Sequence, residues 1–395
     1  MNIFNNKLFL LTPIISLLVV FIFCLALFPS VQIKPKNLPI AVVNEDLGVE
    51  IPNQPKMNMG QTIVDTMQKS SSSTTGEDSI VKWVEVESAG EVEKGLNDQK
   101  YYAAIVIPQD FSEKQASLSS PSPTSPEVQI YINQGMNASA STMAGQVLNG
   151  LIDNMSNNIR TQLLEGFKKQ GVTLTVDQAE SIATPIIKKV TNVNEIGTNS
   201  ANGNSPVTLF QPLWMACVVC ALLFYNATKN LTYYSRMEKV TSKLSQIGMG
   251  VVVSLVIGFG LTWLAEYMVG LHIPQFAETA IFLSITFFSF FLMIYAVVSW
   301  VGFLALPVFG LLLFFGAPLL ALAPEMMSPF YQNWVYDWLP MRFMVSGLRE
   351  LFFFGKGLNW SSVATLTWIG LVSAVVILAS VLKPQRDKVA VRIEA

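Results

Sequence analysis

Residues 280–323 form an unbroken run that contains no Asp, Glu, Lys or Arg, which is incompatible with an ordinary soluble fold. As a single helix with a rise of 1.5 Å per residue, this run would be roughly 66 Å long. The hydrocarbon core of a bilayer is only about 30 Å thick. We therefore predict two membrane spans joined by a tight turn, which we place at Ser299-Trp-Val-Gly302.

Four further apolar runs have the length of a membrane span, namely residues 8–28, 209–225, 248–265 and 363–382. The first run is too long for the apolar segment of a signal peptide, and the following LFPSVQIKPK has no small-residue cleavage site. We interpret it as an uncleaved anchor. The chain is thus predicted to be an α-helical integral membrane protein with six transmembrane helices.

The polar residues are concentrated in one part of the chain. Charged residues make up 13% of the sequence, against roughly a quarter in a soluble domain. Residues 30–205 are rich in Ser, Asn and Gln, whereas residues 207–382 are apolar. We predict an anchor at 1–29, a water-facing domain at 30–206, a five-span membrane domain at 207–382 and a tail at 383–395. The net charge of −2 does not favour a nucleic-acid partner.

The distribution of basic residues predicts the orientation, because Lys and Arg accumulate in cytoplasmic loops. If the N-terminus is cytoplasmic, residues 1–7, 226–245 and 383–395 all face the cytoplasm and together hold nine basic and three acidic residues. Both termini are then cytoplasmic. The large domain between the first two spans becomes extracytoplasmic, and the expected location is the plasma membrane.

The extracytoplasmic domain has the sequence pattern of a small α/β fold followed by helices. Short apolar or alternating runs predict strands at 38–44, 81–86, 102–108 and 128–133. Helices are predicted at 59–69 and, from the capping box Ser88-Ala-Gly-Glu91, at 88–100. After Asn137, apolar residues recur every four positions, and a further helix is predicted at 176–189. We interpret these last helices as a stalk.

No pattern in the sequence indicates an enzyme. The G-x-x-x-x-G-K-[S/T], G-x-S-x-G and H-E-x-x-H motifs are all missing, and His272 is the only histidine. Cys217 and Cys220 form a C-x-x-C, but they lie in an apolar run, where packing residues are a better interpretation than a zinc or redox site. We predict no catalytic residues, no cofactor and no metal.

A few charged residues lie beside the predicted spans. Arg342, Arg349 and Glu350 precede the last span, and they are either part of an interfacial amphipathic helix or functional charges. Glu266 ends the third span, and we interpret it as lying at the level of the lipid headgroups and not in a transport pathway. The basic residues of 226–245 are also explained by orientation alone.

Three motifs occur in a recognisable order. They are Ile40-Ala-Val-Val-Asn-Glu-Asp-Leu-Gly48, Lys100-Tyr-Tyr-Ala-Ala-Ile-Val-Ile-Pro-Gln-Asp-Phe-Ser112, and Trp338-Leu-Pro-Met341 followed by Gly347-Leu-Arg349. With the layout of one span, a domain and five spans, they make the chain resemble the YhgE/Pip (phage infection protein) family, which is related to type-2 ABC exporter permeases. That family includes phage-adsorption proteins of Gram-positive bacteria and a component resembling type VII secretion machinery.

The resemblance implies a permease that works as a homodimer, or as a heterodimer with a related permease, together with a separate ATPase. It implies docking of that ATPase on the loop after the second span, at Arg236, Glu238 and Lys239. This loop has Glu238-Lys-Val-Thr241 where such permeases often have Glu-x-Gly-Thr. We also predict an outer gate helix carrying Pro340, Arg342, Arg349 and Glu350.

Two functions follow from this interpretation. The first is the membrane subunit of an exporter that moves a hydrophobic or amphipathic substrate with a separate ATPase. The alternative is a cell-surface receptor or scaffold without transport, whose outer domain binds a phage, a cell-wall polymer or a secretion component. Membrane lipid is an expected partner of either.

Overall fold

A computed structural model describes residues 35–50, 55–72, 79–171 and 173–383, with scattered positions between 17 and 33. These residues divide into two compact units. The α/β unit comprises the described residues from 35 to 198 together with 321–338, and the helical unit comprises 199–320 and 339–383. The predicted anchor at 8–28 lies mostly outside the described residues, as does the tail beyond 383.

The α/β unit is built on a mixed sheet of five strands in the order β2-β1-β3-β4-β5. The strands are β1 (Leu38–Asn44), β2 (Val81–Glu85), β3 (Ala103–Ile107), β4 (Glu127–Asn133) and β5 (Ile187–Val193). β1 runs parallel to both β2 and β3, while β4 is antiparallel to β3 and parallel to β5. The four strands predicted from sequence are confirmed.

Five helices belong to this unit: α1 (Met59–Ser72), α2 (Ala89–Asn97), α3 (Phe111–Ser117), α4 (Ala138–Gln170) and α5 (Val176–Ala183). Their N-termini are capped by polar side chains. Ser88 accepts a hydrogen bond from the Glu91 backbone N–H, as its motif predicts. Thr175 and Gln178 form a complete capping box at α5.

Helices pack against both faces of the sheet through apolar side chains. Ile63, Met67 and Leu148 bring α1 and α4 onto one face. On the other face, Val92 and Leu96 of α2 contact alternate residues of β1 and β3. All five residues of β3 are buried, which is the pattern expected of a central strand covered by helices on two sides.

The helices after Asn137 differ from the prediction in two ways. The predicted stalk is wrong for the first half of α4, because Ala140, Ala144, Leu148 and Ile152 are fully buried in the core of the sheet. The second predicted helix is too long. It ends at Ala183, and residues 187–193 form β5 instead. Pro185 explains the break, since the residue before a proline disfavours helical geometry.

The segment 321–338 belongs to the α/β unit, although it lies between two helices of the helical unit in the sequence. Ala323 and Met326 are buried in the core beneath the sheet. The Tyr102 hydroxyl donates a hydrogen bond to Glu325 Oε2 at 2.6 Å, and Lys36 N donates to the Glu325 carbonyl at 2.8 Å. Local sequence patterns do not predict such contacts, because the partners are far apart in the sequence.

The helical unit contains α6 (Ser205–Thr228), α7 (Arg236–Trp263), α8 (Phe276–Val301), α9 (Leu306–Ala321), α10 (Met341–Phe353) and α11 (Trp360–Ala379). Four segments in the described part of the chain are long and apolar enough to cross a membrane: Ser205–Thr228, Arg236–Met268, Phe276–Ala321 and Trp360–Leu382. α8 is the central helix and contacts α6, α7, α10 and α11.

The third of these segments is interrupted at the predicted turn. α8 ends at Val301, and Gly302 has φ +82° and ψ −155°. The Trp214 indole of α6 contacts Phe290 of α8 at 5.3 Å and Phe309 of α9 at 6.3 Å between ring centroids. In one straight helix those two phenylalanines would be roughly 28 Å apart. The chain therefore reverses direction between them.

Candidate functional site

The basic loop between α6 and α7 is shorter and more ordered than its sequence suggests. α6 ends at Thr228 and α7 begins at Arg236. The Ser235 hydroxyl accepts a hydrogen bond from Glu238 N at 3.1 Å, and Glu238 Oε2 accepts one from Tyr234 N at 2.7 Å. These reciprocal bonds hold the turn into α7 in one conformation.

The three residues predicted to contact an ATPase differ in their exposure and in their hydrogen bonds. Arg236 and Glu238 are exposed, and the Glu238 carboxylate caps the helix start. Lys239 is half-buried and donates a hydrogen bond to the Lys383 carbonyl at 3.4 Å. If the chain is a permease, the stretch 233–244 is also predicted to form a short helix against the ATPase, and this is wrong as a separate element. From Arg236 onward it is continuous with α7, because no proline interrupts the sequence before the apolar run.

The same turn exposes apolar side chains, which the sequence analysis did not single out. Tyr234 is 92% exposed and Met237 is 72% exposed, and both flank Arg236. Aromatic residues, Met and Arg are enriched at protein–protein interfaces relative to other surfaces. We call Tyr234, Arg236 and Met237 the turn surface.

A polar cluster lies just beyond this turn, inside the helical unit. The Tyr295 hydroxyl donates a hydrogen bond to Gln246 Oε1 and lies 3.4 Å from the Thr228 hydroxyl. Lys243 Nζ is 3.3 Å from Gln246 Oε1 and 5.1 Å from the centroid of the Tyr295 ring. Tyr295 and Gln246 are buried. The signal that could have identified this cluster is a pair of polar side chains in otherwise apolar helices.

The predicted outer gate helix corresponds to α10, which starts directly after Pro340. One of its faces is buried, and a Cβ added at Gly347 would lie 2.4 Å from Phe282 of α8. This close approach explains the glycine in the third motif. α10 is therefore packed into the helical unit along one side.

The charged residues of α10 are half-buried and do not meet the basic loop. Glu350 Oε2 accepts a hydrogen bond from the Ser362 hydroxyl of α11, and the Arg342 guanidinium lies 4.9 Å from the Phe343 ring centroid. Met341 and Phe210 both lie next to Gly316, so α10 is near the start of α6. The basic loop follows the other end of α6. The two predicted groups of site residues therefore lie near opposite ends of α6.

The first two motifs meet at a buried carboxylate in the α/β unit. Asp46 Oδ1 accepts hydrogen bonds from Gly48 N at 3.1 Å and Ser112 N at 3.0 Å. Its Oδ2 accepts from Gly60 N at 2.9 Å and from the Ser112 hydroxyl. Asp46 thereby joins the end of β1 to the starts of α1 and α3. The two motifs encode one structural junction.

The cysteines of the C-x-x-C lie inside the helical unit as free thiols. Cys217 and Cys220 are buried, and Cys217 Sγ is 3.6 Å from the Phe287 carbonyl oxygen. No group of three or more His, Cys, Asp or Glu residues with metal-binding geometry occurs in the described ranges. Glu266 lies in the π-helical turn Leu264–Met268 that follows α7. His272 lies in the loop after that turn.

Similarity to known proteins covers most of the sequence. Residues 7–382 match the family described as "ABC-2 family transporter protein". The chain is 25% identical over 157 residues to "Uncharacterized protein YhgE" of Bacillus subtilis (strain 168), a match covering 39% of this chain and 19% of YhgE. A domain of a "putative ABC type-2 transporter" from Thermotoga maritima MSB8 is 18% identical, with a TM-score of 0.25, over 39% of this chain and 86% of that domain.

Proposed function

The chain belongs to the ABC-2 family of transporter proteins, and on that premise we propose that it is the membrane subunit of an exporter. The subunit moves a hydrophobic or amphipathic substrate and uses a separate ATPase. It carries no catalytic chemistry of its own. The two-ended arrangement supports this proposal, because a basic, ordered turn lies at one end of α6 and the charged helix α10 lies near the other.

The turn surface is the observation that carries the proposal. Residues 1–395 contain no G-x-x-x-x-G-K-[S/T] phosphate loop, which supports a separate ATPase. Tyr234 and Met237 present apolar area to solvent beside the exposed Arg236, at a turn held by hydrogen bonds. A preorganised surface of this composition suits the docking of an ATPase subunit.

The α/β unit has a proposed part in the export cycle. Its core includes Ala323 and Met326, which belong to the chain segment that joins α9 to α10. The segment 321–338 therefore connects the α/β unit to α9 and α10 along the chain. The proposal includes a dimer, formed with a second copy of the chain or with a related permease. It also assigns the chain to the YhgE type of permease.

Removal of the apolar part of the turn surface tests ATPase docking. In the double variant Tyr234→Ala with Met237→Ala, we expect at least about tenfold less ATPase to co-purify with the protein from membranes of its own host. Truncation of an interface anchor typically costs about 1–2 kcal/mol or more, and two such losses exceed one factor of ten. Quantitative mass spectrometry of the purified complex measures the effect.

The matched control for this variant lies beyond the opposite end of α7. Tyr267 and Met268 are 67% and 69% exposed, but they end the π-helical turn after α7, far from the turn surface. Tyr267→Ala with Met268→Ala should leave ATPase capture unchanged. If no ATPase co-purifies even with the unmodified protein, the exporter proposal fails and the receptor or scaffold function replaces it.

The proposed topology has six spans, cytoplasmic termini and an extracytoplasmic α/β unit. The excess of basic residues in 1–7, 226–245 and 383–395 supports it. We expect a reporter that is active only outside the cytoplasm to be active when fused after Asn204 and inactive when fused after Lys383. Activity of the second fusion would contradict the topology.

A further inference from the structure

A cavity of about 210 Å³ lies where the end of α6, the start of α7, the C-terminal end of α8 and the residues after α11 come together. Four lysines and six hydroxyl-bearing side chains line it, and none of the lining residues is acidic. The lysines are Lys229, Lys239, Lys243 and Lys383. Three of them lie within 226–245, and Lys383 follows the last helix of the described chain.

These lysines have neutral hydrogen-bond partners. Lys229 Nζ donates to Asn226 Oδ1 at 2.7 Å, and Lys383 Nζ donates to the Trp300 carbonyl at 2.7 Å. Lys243 Nζ donates to Gln246 Oε1 and the Tyr295 hydroxyl, at 3.3 and 3.4 Å. Within the described part of the chain, none of these four lysines forms an ion pair with a carboxylate.

The arrangement favours a ligand with concentrated negative charge. Four ammonium groups around one small cavity repel one another, and each has three donors, of which the neutral partners use only some. A phosphate group offers several strong acceptor oxygens to such donors, and the lining hydroxyls can add hydrogen bonds to it. The orientation rule accounts for basic residues in this loop. It does not account for their convergence on one cavity from separate segments.

An apolar groove adjoins the cavity and narrows the choice of ligand. A second cavity of about 420 Å³ is lined by Leu223, Phe224 and Met249 among others, and Thr228 lines both spaces. Leu223 is 62% exposed and Met249 is 55% exposed. Both residues lie on helices that are candidate membrane spans. A lipid whose phosphate lies in the first cavity could therefore place its acyl chains in this apolar groove.

We propose that this cavity binds the phosphate group of an anionic phospholipid, whose acyl chains lie along the groove formed by α6 and α7. The lysines attract the headgroup and the exposed apolar side chains cover the hydrocarbon. The site does not depend on export activity, and it places a lipid directly behind the turn surface. Lipid composition can then influence the position of the α6–α7 turn.

Binding of short-chain phosphatidylglycerol to the full-length protein in detergent tests this site. Short-chain phosphatidylcholine, which has the same phosphate but no net charge, and inorganic phosphate serve as comparison ligands. We expect the double variant Lys243→Gln with Lys383→Gln to weaken phosphatidylglycerol binding about tenfold or more, because each basic residue near an anionic lipid contributes about a factor of five. Native mass spectrometry measures the bound lipid.

A control pair removes the same charge elsewhere. Lys82→Gln with Lys94→Gln alters two exposed lysines of the α/β unit and should leave lipid binding unchanged. Equal binding of the two lipids, unaffected by the cavity variant, would overturn the site. Competition by inorganic phosphate at the same concentration as phosphatidylglycerol would overturn the assignment to a lipid and identify a free-phosphate site instead.

Discussion

Replacing Asp46 with alanine is expected to destabilise the α/β unit by at least about 3 kcal/mol. The substitution leaves Gly48 N, Gly60 N, Ser112 N and the Ser112 hydroxyl without their acceptor. Each buried donor left unpaired costs about 1–3 kcal/mol. Water that enters the space vacated by the carboxylate recovers part of this loss. Pulse proteolysis of the full-length protein across a urea series measures the change in unfolding free energy.

Two companion variants separate the junction from a general loss of charge. Asp46→Asn keeps one acceptor oxygen but replaces the other with an NH2 group. That group is itself a donor and would face the donors that the lost oxygen served, so an intermediate loss of stability is expected. Asp65 is exposed on α1 and accepts from the Gln61 amide at 3.0 Å. Asp65→Ala should change stability by less than about 0.5 kcal/mol. If Asp46→Ala is as mild as Asp65→Ala, the junction contributes little and the explanation of the two motifs is wrong.

The second large effect is expected at Gly258, where α7 packs tightly against α8. A Cβ added at Gly258 would lie 2.1 Å from the Ser284 hydroxyl oxygen and 2.6 Å from the Ala280 carbonyl oxygen. The second of these atoms is backbone, so the helices themselves must separate to admit a side chain. Gly258→Leu is expected to cost more than the usual 1–3 kcal/mol of overpacking and to abolish a stable helical unit. Thermal unfolding in detergent and gel filtration measure this outcome.

Gly260 provides the control, because it is two residues further along the same helix and a Cβ there meets nothing within 4 Å. Gly260→Leu introduces the same side chain and the same gain in helix propensity without the clash. It should therefore leave the thermal midpoint nearly unchanged or raise it slightly. Equal losses in the two variants would show that glycine matters for the helix itself and not for the contact with α8.

These two sites lie in different units, so their effects report on different parts of the molecule. The Asp46 junction orders the sheet that also holds Ala323 and Met326. The Gly258 contact orders the bundle that carries the turn surface and the lysine-lined cavity. In the proposed exporter, loss of either one should reduce transport, but only the Gly258→Leu variant should also reduce ATPase capture.

Local sequence information was sufficient where a single physical signal dominated. Apolar runs of span length predicted the four candidate membrane spans in the described part of the chain, and the charge-free run of 280–323 predicted the break found at Gly302. Alternating patterns predicted four of the five strands, and the capping motif at Ser88 predicted the start of α2. The resemblance to type-2 exporter permeases is confirmed by the family match. Six spans and the orientation stay predictions, as do the ATPase and dimer partners.

Only the tertiary structure decided which elements share a core. The four-residue period of α4 predicted a helix with an apolar stripe, but a period cannot say whether the stripe faces a partner helix or a sheet. β5 was missed because its residues are mostly exposed at a sheet edge, without the alternation that burial imposes. The lysine-lined cavity, the Asp46 junction and the place of Met326 all join residues distant in sequence. Local patterns report which groups prefer burial, whereas long-range packing decides which groups meet.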